Sequence, residues 1–155
     1  MKIDTISIEG YKSFAKVDQF ALQNLNVLIG ANGAGKSNFL SLFRLLTALS
    51  QGNLQTYVKG QGGPDALLHG GRRRSPQFSV EIKCQGDVIY GYAATLAPTV
   101  DNRLQFLKEE PWIIGPPTGD RKTLFPQGSA YEESRLPIPR PDKIGGIINM
   151  CTLWM

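Results

Sequence analysis

The sequence predicts a mixed α/β fold in which a helix packs on a central strand and an antiparallel subsheet forms beside it. Residues 25–29 are a short apolar run that stops at a glycine, as in a strand buried on both faces. Residues 37–49 carry apolar side chains at helical spacing, which indicates a helix with one buried face. Residues 78–108 alternate apolar and polar positions in three stretches, as in an antiparallel meander.

Patterns in the first 50 residues predict the N-terminal strands and the helix that follows them. Ile6 and Ile8 alternate with polar residues, which predicts a half-buried strand. After a turn near residues 10–12, a second extended segment is expected through Phe20. We expect the strand that ends at Ile29 to be central, and the helix over residues 37–49 to pack on it and to end near Ser50–Gly52.

The remaining residues divide into two zones. Residues 60–69 predict a loop with a short helical turn, and strands follow near 78–84, 88–96 and 104–106. Residues 111–155 hold seven of the ten prolines, and proline disrupts both helix interiors and sheet ladders. We therefore expect a lobe over residues 1–110 and an irregular or incomplete segment over residues 111–155.

Composition narrows the class of protein. The chain has 155 residues, 41% of them hydrophobic, which suits one domain-sized core. No apolar run approaches the roughly 20 residues of a membrane helix, and the N-terminus lacks a signal-peptide layout. Cys84 and Cys151 show no metal-type spacing, so reduced thiols and a cytoplasmic location are expected. A net charge of +4 is compatible with a polyanionic partner.

Residues 30–37 match the pattern G-x-x-x-x-G-K-S, between the predicted strand and the predicted helix. Glycines in such a loop let the backbone curl so that its N–H groups form an anion nest, and the helix N-terminus adds further donors. The lysine would reach the β- and γ-phosphates, and the serine hydroxyl would bind Mg²⁺. The alternative is a chance match, expected in on the order of 1% of chains of this length.

The nucleotide interpretation depends on residues 30–37 joining a strand to a helix. Ser37 is also the expected metal ligand, and Asn38 is expected to orient the loop. The residues expected to hold the nucleotide are Gly30, Ala31, Asn32, Gly33, Ala34, Gly35, Lys36, Ser37 and Asn38.

Residues 10–14, 25–29 and 30–38 together resemble the N-terminus of RecF/SMC-like ABC-type ATPases. Residues 62–70 are similar to predicted bacterial ATPases of the AAA_21-like group, related to the overcoming-lysogenisation-defect family. The resemblance is close over about the first 50 residues and looser to about residue 110. It implies a P-loop NTPase fold, ATP with Mg²⁺, and head-to-head homodimers that clamp two ATP molecules. It also implies work in DNA repair, chromosome organisation or phage defence.

The chain departs from this family where catalysis is concerned. A Walker B run of four apolar residues followed by Asp and Glu is not found, nor is a Leu-Ser-Gly-Gly signature. We therefore expect the front part of a larger ATPase, which binds ATP and hydrolyses little of it without a C-terminal half; a compact NTPase with a hidden acidic site is the alternative. The residues weighed for these roles are Asp87, Asp101, Asp120, Asp142, Gly145, Gly146 and, for a Mg²⁺-contacting glutamine, Gln127.

Two other functions remain open. One is a DNA- or partner-binding module with a vestigial P-loop. The other is a phosphotransferase of the nucleotide-kinase type, which the meander disfavours because those enzymes continue with alternating strands and helices.

Several single residues carry two interpretations each. Arg72, Arg73 and Arg74 predict either contacts to DNA phosphates or a solvated loop. His69 is either a catalytic or phosphate-sensing residue or an ordinary loop histidine. Lys12 is either a phosphate contact or a surface lysine. For Tyr90 and Tyr92 we expect packing on one face of the sheet rather than a platform for bases.

Overall fold

The computed structural model describes residues 2–86, 88–115, 119–124 and 129–135. Six strands form one antiparallel sheet in the order β2-β1-β3-β4-β5-β6. Two helices and a short 3₁₀ turn at Pro64–Ala66 complete the described part. The elements are β1 (Lys2–Tyr11), β2 (Phe14–Ala21), α1 (Lys36–Ser50), α2 (Leu54–Gly60), β3 (Phe78–Gln85), β4 (Ile89–Pro98), β5 (Leu104–Ile114) and β6 (Arg121–Thr123).

The N-terminal hairpin and the meander are confirmed, and they belong to the same sheet. Ile6 and Ile8 are buried in β1, as their alternation predicts. Strand β1 pairs with β2 on one side and with β3 on the other. The subsheet predicted over residues 78–108 is therefore a continuation of the hairpin and not a separate layer.

One face of this sheet is covered by the helices. In β3 the side chains of Phe78, Val80, Ile82 and Cys84 are buried on that face, while the residues between them are more exposed. This alternation is typical of an antiparallel sheet with one face packed on a core. The same face buries Tyr90 and Tyr92, so the expectation of packing, and not of a base-stacking platform, is confirmed.

The predicted helix is confirmed, and its buried stripe joins the sheet's core. Helix α1 buries Leu42, Leu45, Leu46 and Leu49 in the same cluster as the inner face of the sheet. The Tyr11 hydroxyl of β1 lies 3.0 Å from the Ser41 hydroxyl of α1, which ties the helix to the hairpin.

The predicted central strand is wrong. Residues 25–29 form neither strand nor helix, and Leu25, Val27 and Ile29 are 79%, 70% and 90% exposed. The physical reason is the lack of a partner, because a strand buried on both faces needs neighbours in its own sheet. Both sides of β1 are already taken by β2 and β3, and every strand within the described ranges belongs to that one antiparallel sheet. Helix α1 accordingly packs on the antiparallel sheet and not on residues 25–29.

The sheet extends past residue 110 and includes a proline. Pro111 lies inside β5, opposite Tyr92. Its carbonyl accepts a hydrogen bond from the Leu124 amide at 2.8 Å, on the β6 side of the strand. The nitrogen of a strand residue faces the same side as its carbonyl, so Pro111 removes no bond from the β4–β5 ladder. The division of the chain at residues 110 and 111 stays a prediction.

A buried carboxylate fixes residues 129–135 to the sheet. Glu109 is fully buried on the inner face and accepts hydrogen bonds from the hydroxyls of Tyr92 and Tyr131, both at 2.8 Å, from the Ser134 hydroxyl, and from the Arg135 amide at 3.1 Å. Burial, followed by the charge of Glu109, raises the pKa of Tyr92 well above its usual value. A buried carboxylate with this many donors is an anchor for the segment that supplies them.

The outer face of the sheet carries one large aromatic side chain, next to Ile89 and Ile114. Trp112 of β5 lies directly across from Gly91 of β4, and its ring covers the position that a Cβ at residue 91 would occupy. The Arg121 guanidinium lies 4.3 Å from the centre of that ring and 2.8 Å from a carboxylate oxygen of Glu81. Trp112 is thereby almost fully buried on a face otherwise open to water.

Several residues named from the sequence lie outside the described ranges. They are Asp87, Gln127, Asp142, Gly145, Gly146 and Cys151.

No helix within the described ranges is long and apolar enough to cross a membrane.

Candidate nucleotide-binding site

The glycine loop has the tight backbone that its sequence predicts. Gly33 and Gly35 have φ values of 85° and 95°, in the left-handed region that residues with a Cβ disfavour. The Ala34 amide donates to the Ala31 carbonyl at 3.1 Å and closes a turn between them. Helix α1 begins at Lys36, so the loop leads directly into a helix N-terminus, and the helical half of the predicted context is confirmed.

The N-terminus of α1 is open to an anion. No side chain caps it, and its first turn carries no acidic residue. Residues 31–34 and Ser37 are exposed, so the unpaired N–H groups and the positive end of the helix dipole are accessible from water. An open helix N-terminus behind a glycine loop is chemically suited to a phosphate group.

Lys36 closes the loop on itself. Its ammonium donates to the Gly30 carbonyl at 2.6 Å and to the Ala31 carbonyl at 2.7 Å. Two of its three N–H donors are thus engaged with the first residues of the loop. The positive charge therefore lies within the loop, where a phosphate would need a counter-charge.

The tip of the β1–β2 hairpin lies against the glycine loop and the first turn of α1. The Asn38 side-chain amide donates to the Ser13 hydroxyl at 3.0 Å. A Cβ at Gly35 would lie 2.8 Å from that same hydroxyl oxygen. Sequence reasoning gave Asn38 an orienting role and did not identify Ser13, which lies 25 residues away along the chain.

Lys12 lies in this tip and contacts His69. The Lys12 ammonium donates to the side-chain oxygen of Gln61 at 2.9 Å. Partial burial, with a smaller effect of the nearby Arg44 charge, lowers the pKa of Lys12. Nδ1 of His69 lies 2.8 Å from the Lys12 carbonyl oxygen. Both residues thus take part in holding the hairpin tip, a role that neither sequence interpretation included.

The arginine run separates into one fixed residue and two exposed ones. The Arg72 guanidinium bonds the Asp65 carboxylate at 2.9 Å and the Asn102 side chain at 2.8 Å. This hydrogen-bonded pairing lowers the pKa of Asp65. Arg73 and Arg74 are exposed, and no salt bridge to either is found among the residues that the structure describes.

A metal site does not emerge from the protein side chains alone. Within the described ranges, no group of three or more His, Cys, Asp and Glu side chains could hold a metal ion. Asp101 is ion-paired with Arg103 at 3.5 Å in the β4–β5 turn. The Ser37 hydroxyl is exposed in the first turn of α1, which leaves it accessible to a nucleotide-bound cation.

Residues 1–103 match the family model of the AAA ATPase domain. The chain belongs to this family. A P-loop NTPase fold follows from that membership, and the antiparallel sheet of the described residues is compatible with it, although P-loop sheets are typically parallel. No strand precedes the loop among the described residues, so the condition that residues 30–37 join a strand to a helix is not met. The nucleotide interpretation therefore stays a proposal, supported by the spacing of the loop, the start of α1 at Lys36 and the family match.

Two kinds of curated protein are also similar to parts of the chain. RecF, the DNA replication and repair protein of Lacticaseibacillus casei, is 43% identical over 51 residues, which is 32% of this chain and 14% of RecF. Urease accessory protein 2 of Cryptococcus neoformans is 35% identical over 86 residues, which is 54% of this chain and 7% of that protein. The chain thus spans only a small fraction of the length of these relatives.

Proposed function

We propose that this chain is the ATP-binding front part of a RecF/SMC-like ATPase, with residues 30–38 as its phosphate loop. The observation that carries the proposal is the uncapped N-terminus of α1 directly behind a left-handed glycine loop, within a match to the AAA ATPase domain. Backbone N–H groups of the loop and of the first helical turn would bind phosphate oxygens. Lys36 would supply positive charge, and the Ser37 hydroxyl would bind Mg²⁺.

Mg²⁺ in such a site neutralises the charge that develops on the phosphates. The residues of this chain would bind and orient the triphosphate through the open helix end, and Lys36 would exchange its carbonyl contacts for phosphate oxygens. Because the sequence shows no run of four apolar residues followed by Asp and Glu, and no Leu-Ser-Gly-Gly signature, we propose weak or absent hydrolysis by this chain alone.

We further propose that additional strands complete the site, from a C-terminal half or from a partner chain. The exposed apolar run at residues 25–29 supports this, because four large apolar side chains within five residues rarely face water in a finished domain. The small share of RecF that the chain spans supports it as well. We also propose that the chain forms homodimers that clamp ATP between them, and that it acts on DNA.

Calorimetric titration with Mg²⁺-ATP tests the proposal, with phosphate release followed in parallel. Lys36→Ala should abolish binding, and Lys16→Ala, a change of the exposed lysine on β2, should leave it unchanged. Binding lost only in Lys36→Ala, without turnover in any variant, is the expected result. Turnover that depends on Lys36 would refute weak hydrolysis, and no binding by the unaltered chain would refute the ATP site.

The exposed Arg73 and Arg74 favour a second candidate, a DNA-binding module whose P-loop is vestigial. An exposed arginine that neutralises a DNA phosphate releases counterions condensed on the DNA. For this candidate, DNA affinity would fall steeply with salt, would not respond to ATP, and would weaken in Arg73→Ala more than in Arg72→Ala. Affinity for duplex DNA measured at several salt concentrations distinguishes the two functions.

A further inference from the structure

The tip of the β1–β2 hairpin holds a residue in an unfavourable conformation. Lys12 has a φ of 46°, in the left-handed region where a residue with a Cβ is disfavoured. Its amide donates to the Leu67 carbonyl at 2.9 Å, its carbonyl contacts Nδ1 of His69 at 2.8 Å, and its ammonium donates to Gln61 at 2.9 Å. Backbone conformations of this kind persist where the surroundings over-determine them.

All three contacts come from one stretch of chain, residues 61–69. That stretch is itself joined to β1, because the His69 amide donates to the Gly10 carbonyl at 2.8 Å and Leu68 forms a bridge with Tyr11. Residues 61–69 therefore act as a clasp around the hairpin tip, and they fix where the next residue, Ser13, is placed.

Ser13 lies between the last glycine of the phosphate loop and the first turn of α1. Its hydroxyl accepts the hydrogen bond from Asn38 at 3.0 Å, and it occupies the space where a side chain at Gly35 would lie. Gly35 and Asn38 flank Lys36 and Ser37, the two residues whose side chains would face a phosphate. The Ser13 hydroxyl is thus bonded to one end of this four-residue segment and excludes a side chain at the other.

We propose that Ser13 is a positioning residue for the phosphate loop, and that the clasp of residues 61–69 acts on the loop through Lys12 and Ser13. The effect on nucleotide affinity rests on the proposed function, whereas the effect on the loop itself does not. By accepting the bond from Asn38 beside Gly35, the hydroxyl keeps the first N–H groups of α1 directed at one place before any ligand arrives, which reduces the ordering that binding requires.

Hydrogen exchange without nucleotide tests the proposal, on Ser13→Ala and a matched control. Ser7→Ala is that control, because the Ser7 hydroxyl also accepts a hydrogen bond within the same hairpin, from the Gln19 amide at 3.0 Å. Ser13→Ala should accelerate exchange severalfold in peptides covering residues 33–40 and leave β1 and β3 unchanged. Ser7→Ala should leave residues 33–40 unchanged, and Ser13→Thr, which keeps the hydroxyl, should restore slow exchange.

A double-mutant cycle identifies the bond responsible. Asn38→Ala should accelerate exchange in the same peptides, and the pair Ser13→Ala with Asn38→Ala should add little to either change alone. Gln61→Ala should produce a smaller increase in the same place, because it releases one of the three contacts on Lys12. Exchange in Ser13→Ala that matches the control, or that rises equally across the sheet, would overturn the positioning role.

A nucleotide titration separates this inference from the proposed function. Loss of one hydrogen bond that organises the loop predicts Mg²⁺-ATP affinity lower by about threefold to tenfold in Ser13→Ala, with Ser7→Ala unchanged. If the unaltered chain binds no ATP, the proposed function fails and the exchange result still decides whether Ser13 positions the loop. If ATP binds equally well to both variants, the ATP site stands and the positioning role fails.

Discussion

Strand β3 and residues 25–29 each contain four apolar residues, but β3 is buried and residues 25–29 are exposed. Ile82 of β3 is fully buried, whereas Ile29 is 90% exposed. Strand β3 has a neighbour on each side, β1 and β4, both in antiparallel pairing. Residues 25–29 have no strand partner within the described ranges.

The difference teaches that an apolar pattern specifies a strand only together with a source of partners. The alternation in β3 matches a sheet with one covered face, and its β4 partner follows after a short turn. A continuous apolar run predicts a strand enclosed on both faces, and its neighbours must come from distant parts of a chain or from another chain.

The largest expected effect compares the same substitution in the two regions. Ile82→Ala should lower the free energy of unfolding by about 2–5 kcal/mol, because it opens a cavity in the core. Ile29→Ala should change that free energy by less than about 0.5 kcal/mol, because the side chain is exposed. Urea unfolding of both variants measures the difference, and a comparable loss in both would show that residues 25–29 are buried in solution.

The second prediction compares the two faces of the sheet with neighbouring glutamates. Glu109→Ala should cost about 2–3 kcal/mol of unfolding free energy, because it leaves buried tyrosine hydroxyls without their acceptor. Glu110→Ala, on the outer face and paired with Lys108 at 2.9 Å, should cost less than about 1 kcal/mol. Equal costs in urea unfolding would contradict the assignment of these residues to covered and open faces.

A third prediction concerns the loop that follows the exposed run. Gly33→Ala should cost about 1 kcal/mol from its left-handed backbone alone, since open space surrounds it. Gly35→Ala should cost more, because its Cβ would also meet the Ser13 hydroxyl. Thermal or urea unfolding of both variants measures the two costs. A larger cost for Gly33→Ala would contradict the close contact between the hairpin tip and this loop.

The smallest effect is expected in the arginine loop. Arg72→Ala should increase hydrogen exchange in residues 65–75, because it removes the bonds to Asp65 and Asn102. Arg73→Ala should leave that exchange unchanged. Increases of equal size would mean that the loop is held by overall charge and not by the contacts of Arg72.

The sequence predicted what local patterns can specify. Alternation at Ile6, Ile8 and residues 78–96 predicted strands, and β1–β2 and β3–β4 pair as sequence neighbours, whereas the pairing of β1 with β3 was not predicted. Helical spacing predicted α1. Helix α2 was missed because its seven residues lie between glycine-rich turns and offer too few positions for a periodic signal. Pro111 was treated as a strand breaker, and only the direction of its carbonyl in the folded sheet shows why it is tolerated.

The spacing of residues 30–37 predicted the phosphate loop, but the sequence did not predict which residues surround it. The pattern over residues 30–37 specified the loop, since glycine, lysine and serine at that spacing have few other uses. Ser13 lies in the family-like segment 10–14 and His69 was weighed as a candidate, but the sequence did not indicate the contacts that these residues and Gln61 make. Their roles depend on the hairpin tip meeting both α1 and residues 61–69, and that meeting follows from the sheet's topology.

The packing of Trp112 across Gly91 has a consequence for how related sequences can diverge. Any side chain at residue 91 would occupy the volume of the indole ring, so a tryptophan at 112 restricts position 91 to glycine. A smaller residue at 112 would lift that restriction and leave the Arg121 guanidinium without its aromatic surface. Positions 91, 112 and 121 are therefore expected to co-vary among homologues, and a homologue with alanine at 91 should have lost the tryptophan.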